Sequence, residues 1–277
     1  MPKAKEVLET GRLEAWMRFN RPERPIRVFP ARAENASNVE KWGVDRLPED
    51  APRQKRKVLI TGSGRTGTHN MSKLLRAVGI DVGHEFMGEI GTSSHFFCAD
   101  SDWYPFFPFV KGVDFGKAHA AQRQSDYLFE NVIHVVRHPL LVIPSVEAKF
   151  GTMDYEFMED NGIFPGPMTR TGNQKKRGYR GMMVWYWNNK YIEDHFPDAM
   201  RVRLEDLDKW WFTLVEMCGF PGVPKPQMPP SNKSRSLWYK PVHTADLDVI
   251  DPKLSRLIYE MAARYGYVMS DEYLKKT

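Results

Sequence analysis

Cysteine is the scarcest side chain of diagnostic value here: Cys98 and Cys218 are the only two. Two cysteines so far apart make neither a disulfide framework nor a zinc cluster, so no metal is expected and a reduced, cytoplasmic compartment is. Long apolar runs are missing too. The longest stretches, Tyr104–Val110 and Pro139–Val146, carry prolines and fall well short of the roughly 20 residues that a membrane span needs. No apolar segment follows the N-terminal lysines, so neither a secretory signal nor a membrane partner is expected. The chain also lacks net charge over most of its length. Residues 1–57 hold 14 basic against 9 acidic residues, the whole of the +5 excess, and the rest of the chain holds 26 of each. A broad nucleic-acid surface is therefore not expected. A local anion pocket stays open, because pockets depend on placement and not on totals. Disorder of the whole chain is excluded by what is present: 42% hydrophobic and 13% aromatic residues are ample for a core.

The pattern along the chain predicts an N-terminal extension and linker over residues 1–56 and a single domain over 57–277. In the extension, 3–19 has the apolar spacing of a short helix, prolines at 22, 25 and 30 keep the next stretch extended, and the charged run 48–57 reads as a linker. From Lys57 onward, short apolar runs alternate with amphipathic ones. Strands are predicted at 58–61, 80–83, 113–118, 132–136 and 200–204. Helices are predicted at 68–78, 139–150, 179–196, 206–218 and 251–265. That alternation implies an α/β fold with a mainly parallel sheet and helices on both faces.

The run Gly62-Ser63-Gly64-Arg65-Thr66-Gly67-Thr68-His69 ends a strand and opens a helix. Glycines let the backbone curl so that several N–H groups point inward, and the helix start adds partial positive charge; an anionic phosphate fits there. Gly62 and Gly67 match the first half of the Walker spacing. The second half fails, with Thr68 where lysine is required and His69 where a magnesium-binding hydroxyl is required. A triphosphatase loses its γ-phosphate contact and its metal anchor by those changes. The loop's cation is instead Arg65. A ligand-free strand–turn–helix junction is the plain structural alternative.

A second anion site is predicted at Arg137, at the carboxyl end of a strand, with Pro139 starting a helix and Ser145 about two turns into it. An arginine and a hydroxyl so placed can share one phosphate. The plain alternative is an arginine that ends a strand and a serine that faces a neighbouring helix.

Together the two sites resemble the P-loop sulfotransferases, which use 3′-phosphoadenosine-5′-phosphosulfate (PAPS). Gly64, Arg65, Thr66, Gly67, Thr68 and His69 look like their 5′-phosphosulfate loop, with Arg65-Thr66-Gly67-Thr68 in place of the usual K-S-G-T or R-S-G-T. Arg137, Pro139 and Ser145 fall in register with the 3′-phosphate pattern R-x-P-x-x-x-x-x-S. Arg203-Leu204-Glu205-Asp206-Leu207 is similar to the family's R-x-E-D-L. The resemblance covers about 57–267. It implies a P-loop-type α/β fold and metal-independent transfer of a sulfuryl group from PAPS to a hydroxyl or amine on a carbohydrate or small molecule, with adenosine 3′,5′-bisphosphate as product. Such a donor carries its reactive group on a monophosphate, which accounts for the missing lysine and magnesium ligand.

The reaction needs a general base. Lys117-Ala118-His119 resembles the K-x-H of the small-molecule enzymes, in which the histidine is the base, and His119 is the first candidate. Glu85, after the second predicted strand, is the second, because the carbohydrate enzymes place a glutamate there. Late in the chain, Lys233 and Arg235 are candidates for the basic loop near the 3′-phosphate. Lys175-Lys176-Arg177 is read as part of a solvated loop. Two alternatives of other classes remain: a nucleotide or small-molecule kinase, and a non-catalytic anion-binding protein of the same fold.

Overall fold

A computed structural model describes residues 53–85, 87–99, 124, 127–150, 152–165, 177–227 and 240–276. Five strands form one sheet: β1 (Gln54–Thr61), β2 (Val82–His84), β3 (Gly91–Ser93), β4 (Tyr127–Val136) and β5 (Met200–Arg203). Their spatial order is β2-β3-β1-β4-β5, and every pairing is parallel. The α/β expectation is therefore met.

Parallel strands bury both faces, and the alternation of side chains sorts β1 between two cores. Val58 and Ile60 join Ile133, Val135 and Val202 under α1 (Thr68–Ala77) and, further along the chain, the helix Leu207–Met217. Leu59 and Val136 point the other way. They meet α2 (Pro139–Lys149), α3 (Thr152–Asp160), α4 (Tyr179–His195), the helix Thr244–Ile250 and the helix Pro252–Arg264. Counted in chain order, the last three helices are α5 (Leu207–Met217), α6 (Thr244–Ile250) and α7 (Pro252–Arg264). The apolar positions of α7 explain its docking: Leu254, Ile258, Met261 and Ala262 are buried on one stripe.

Several expectations shift. The charged run read as linker enters the sheet, because Gln54, Lys55 and Arg56 pair with Tyr127, Leu128 and Phe129. Strand pairing satisfies the backbone even where the side chains stay outside the core. The predicted strand 113–118 lies outside the described residues, as does the helix at 3–19. The third strand that is described, β3, went unpredicted. Its sequence Gly-Thr-Ser has no apolar residue, yet all three positions are buried between β1 and β2. Phe96 and Phe97, beside β3, are 1% and 2% exposed and belong to the core. Trp185 and Tyr186 are also buried.

Candidate active site

β1 ends at Thr61, and the chain turns through Gly62–Gly67 into α1. Gly67 caps the helix at φ 109°, a left-handed conformation that glycine adopts without strain. Thr66 closes the turn, its N–H and hydroxyl both donating to the Ser63 carbonyl at 3.1 and 2.6 Å. The N–H groups of Thr68 and His69 lie in the first turn of α1, where no intrahelical acceptor exists. A side chain at Gly64 would have to displace Phe150, since its Cβ would lie 1.9 Å from the tip of that ring. The loop thus has the tight, donor-rich form that an anion requires.

Arg65 has φ 73°, and Glu85 has φ 57°; they are the two non-glycine residues with positive φ among those described. Left-handed backbone in such residues stores strain of the kind found where a chain positions functional groups. The Arg65 side chain reaches α2, where its Nε donates to the Ser145 hydroxyl at 3.0 Å. Arg137 follows β4 directly, and its Nη1 donates to the Arg65 carbonyl at 3.4 Å. Arg137 is itself held from behind, its carbonyl accepting from the Trp185 indole N–H at 3.0 Å. Burial and the nearby Arg137 charge both lower the pKa of Arg65, and Asp154 offsets them in part. The sequence expectation paired Ser145 with Arg137; in the structure its hydroxyl is bonded to Arg65. The residues of the two expected anion sites thus come into contact at the carboxyl end of the sheet.

Glu85 sits just after β2 and is buried. One carboxylate oxygen accepts from the Ser94 hydroxyl, and the other meets His95 Nδ1 at 3.0 Å. On its far side, His95 Nε2 lies 3.7 Å from the Asp154 carboxylate on α3. Burial alone would raise the Glu85 pKa, but His95, His84 and the hydrogen bonds from His95 and Ser94 outweigh it and hold Glu85 at about 2. Burial would likewise discharge His95; Glu85 and Asp154 overcome it and raise the ring to about 9. His95 is therefore a buried imidazolium between two carboxylates. The Phe150 ring, 5.6 Å from His95, lies between this cluster and Gly64 of the loop. Ser94, His95 and Asp154 escaped sequence reasoning, because nothing in Ser-Ser-His-Phe-Phe marks a histidine whose partners are far along the chain.

The Arg203–Asp206 segment is a bracket. Glu205 accepts the His138 N–H at 3.1 Å and the Tyr267 hydroxyl at 2.8 Å, tying the end of β4 to the C-terminal segment. Arg203 pairs with Asp206 and donates to the Gly266 carbonyl at 2.6 Å. His138 stacks on Tyr273 with ring centres 4.0 Å apart. These contacts fix the backbone from which Arg137 projects. Lys117, His119, Lys233 and Arg235 lie outside the described residues, so the structure brings together Gly64–His69, Arg137, Ser145 and Glu85 alone of the predicted set.

No family model matches the chain, and no curated protein matches it. Among solved structures the chain is similar to a sulfotransferase domain from the curacin biosynthetic pathway. The identity is 16% and the TM-score 0.39, over 79% of this chain and 100% of that one. At that identity and TM-score the similarity bears on no residue of the site.

Proposed function

We propose that the protein transfers a sulfuryl group from PAPS to a hydroxyl or amine acceptor and releases adenosine 3′,5′-bisphosphate. The observation that carries this reading is the meeting of Arg65, Ser145 and Arg137. Their contacts span 80 and 72 positions of sequence and converge where the phosphate loop opens. Two guanidinium groups brought together in a cleft repel one another, and a ligand with two anionic ends relieves that repulsion. The 5′-phosphosulfate fits the loop, where the N–H groups of Thr68 and His69 and the Arg65 cation face it. The 3′-phosphate fits Arg137 and Ser145. Positioned donors and cations stabilise the charge that spreads over the transferring group and its bridging oxygen. Neither a lysine at 68 nor a magnesium ligand at 69 is needed for such a donor.

His119, with Lys117 beside it, is a candidate base, and Lys233 and Arg235 are candidates at the 3′-phosphate, through the sequence resemblance alone. Calorimetry tests the donor. Adenosine 3′,5′-bisphosphate should bind without magnesium, and ATP much more weakly. A magnesium-dependent preference for ATP would replace the reading with a kinase. Turnover is tested by a PAPS-dependent screen over carbohydrate, phenol and amine acceptors. Tight bisphosphate binding with no product on any acceptor would leave a non-catalytic binding protein.

A further inference from the structure

Transfer requires a group that accepts the acceptor's proton, so this inference rests on the sulfuryl-transfer reading. Glu85 has both oxygens engaged, by Ser94 and His95, and is held ionised by a buried imidazolium. The residue before it is built differently. His84 is the last residue of β2, level with Ser93 on β3 and, through it, with Ile60 on β1. That level is the carboxyl end of the sheet, one residue below the end of β1. Its side chain is 28% exposed. Nδ1 lies 3.0 Å from the Ser93 carbonyl oxygen, which also accepts the Glu85 N–H at 3.3 Å. A carbonyl only accepts, so Nδ1 carries the hydrogen and the lone pair of the neutral ring is on Nε2. Nothing among the described residues hydrogen-bonds that nitrogen.

The ring stands edge-on to His69, with centres 4.7 Å apart, and His69 is the second residue of α1, inside the phosphate-loop run. His84 therefore borders the place where the sulfuryl group would sit. The charged and titratable groups around it are Glu85 at 3.7 Å, the His69 ring and, beyond them, Lys73, Arg65 and His95. Burial, His84, Lys73 and Arg65 all lower the pKa of His69, against a smaller opposing effect of Glu85. His69 is thereby kept neutral beside His84.

We propose that His84 is the general base of the transfer. Its Nε2 takes the proton of the acceptor hydroxyl or amine as that oxygen or nitrogen bonds to sulfur. The bond from sulfur to the bridging oxygen breaks. That oxygen leaves with the electron pair, on the 5′-phosphate of adenosine 3′,5′-bisphosphate. The proton then passes from Nε2 to solvent.

Single-turnover hydrolysis of PAPS, with water as the acceptor, tests this without knowledge of the natural acceptor. Wild type is compared with His84→Ala, His84→Asn and His119→Ala, and bisphosphate affinity is measured on each. Both His84 variants should bind the bisphosphate within about twofold of wild type and hydrolyse PAPS at least about tenfold more slowly, general bases commonly contributing about a hundredfold or more. Added imidazole should restore part of the rate to His84→Ala, which a merely structural role would not allow. His84→Asn keeps a donor for Ser93 and covers the case in which the alanine variant fails to fold. Hydrolysis at the wild-type rate in the His84 variants, or a loss that imidazole leaves untouched, overturns the proposal. A loss confined to His119→Ala assigns the base to His119. Failure of wild type to bind the bisphosphate refutes the transfer reading itself, and the base with it.

Discussion

Two groups of charge flank Phe150 at the carboxyl end of the sheet, and they are built on opposite terms. On one side Glu85, His95 and Asp154 are buried and paired, with a proton-rich ring between two carboxylates. On the other, Arg65 and Arg137 are in contact, and their contacts with each other and with Ser145 involve a carbonyl and a hydroxyl but no carboxylate. Buried charge that is fully paired holds structure, because removing one partner strands the other in a medium that cannot solvate it. Arginines held by a carbonyl and a hydroxyl, with Asp154 only partly offsetting their mutual repulsion, beside a loop with free backbone N–H groups, suit the anionic ligand of the proposed function. The difference separates Glu85, which sequence motif alone places in the chemistry, from the arginines beside it.

The largest effect should come from breaking the paired side. Glu85→Gln leaves the His95 ring with Asp154 at 3.7 Å as its remaining acid, and should cost about 3 kcal/mol of stability, read as a fall in the urea midpoint. Stability unchanged within about 0.5 kcal/mol would show that the cluster is not a buried ion pair. Its effect on any transfer activity should follow from that lost stability and not from a lost proton acceptor.

The pH dependence of wild-type stability sharpens the same side. His95 is raised from 6.5 to about 9, so its contribution is complete below 6.5 and is lost as pH rises through 9. Glu85 is lowered from 4.5 to about 2, so its contribution is complete above 4.5 and is lost as pH falls through 2. Both describe one interaction, on the order of 3 kcal/mol at most. The contribution of this pair should therefore plateau between about pH 4.5 and 6.5 and decline on either side, while His134, whose ring is held at about 4 by burial, separately lowers stability as pH falls below 6.5. His95→Gln should flatten the alkaline decline, and an unaltered slope in that variant would contradict the assignment.

On the ligand side, Arg137→Ala should weaken bisphosphate binding by about ten- to a hundredfold, the value of a charge-assisted contact of about 1.5–3 kcal/mol. Stability should change far less than in Glu85→Gln. Calorimetry that finds the affinity unchanged removes the 3′-phosphate from Arg137. Arg65→Ala should lower turnover more than it weakens donor binding, if its cation meets charge that grows on the bridging oxygen. The smallest expected effect is that of Ser145→Ala, which removes one neutral hydroxyl worth about 0.5–1.5 kcal/mol, or up to about tenfold in bisphosphate affinity. A larger loss at Ser145 than at Arg137 would invert the roles given to the two residues.

Much of the arginine side was legible in sequence because its parts are local. A glycine-rich run between a strand and a helix declares a cradle from within eight residues, and Arg137, Pro139 and Ser145 are spaced by one strand end and one helix. The acidic cluster was not legible. His95 has its partners ten positions before it and 59 after it, on β2's end and on α3, and no periodicity links the three. β3 hid for a related reason: Gly91, Thr92 and Ser93 are buried by the strands beside them and not by their own hydrophobicity.

The sequence by itself determined the strand–helix alternation apart from β3, the broken Walker loop and the positions of the loop and strand-end cations. Backbone propensity and short-range spacing suffice for those. Only the tertiary structure decided which charges are paired, because ion pairs form through space. It turned Arg65 toward Ser145, closed Glu85 on His95 and fixed the Nδ1 hydrogen of His84 on the Ser93 carbonyl. Each of those contacts joins residues that the chain keeps nine or more positions apart and that only the packed sheet brings within hydrogen-bond distance.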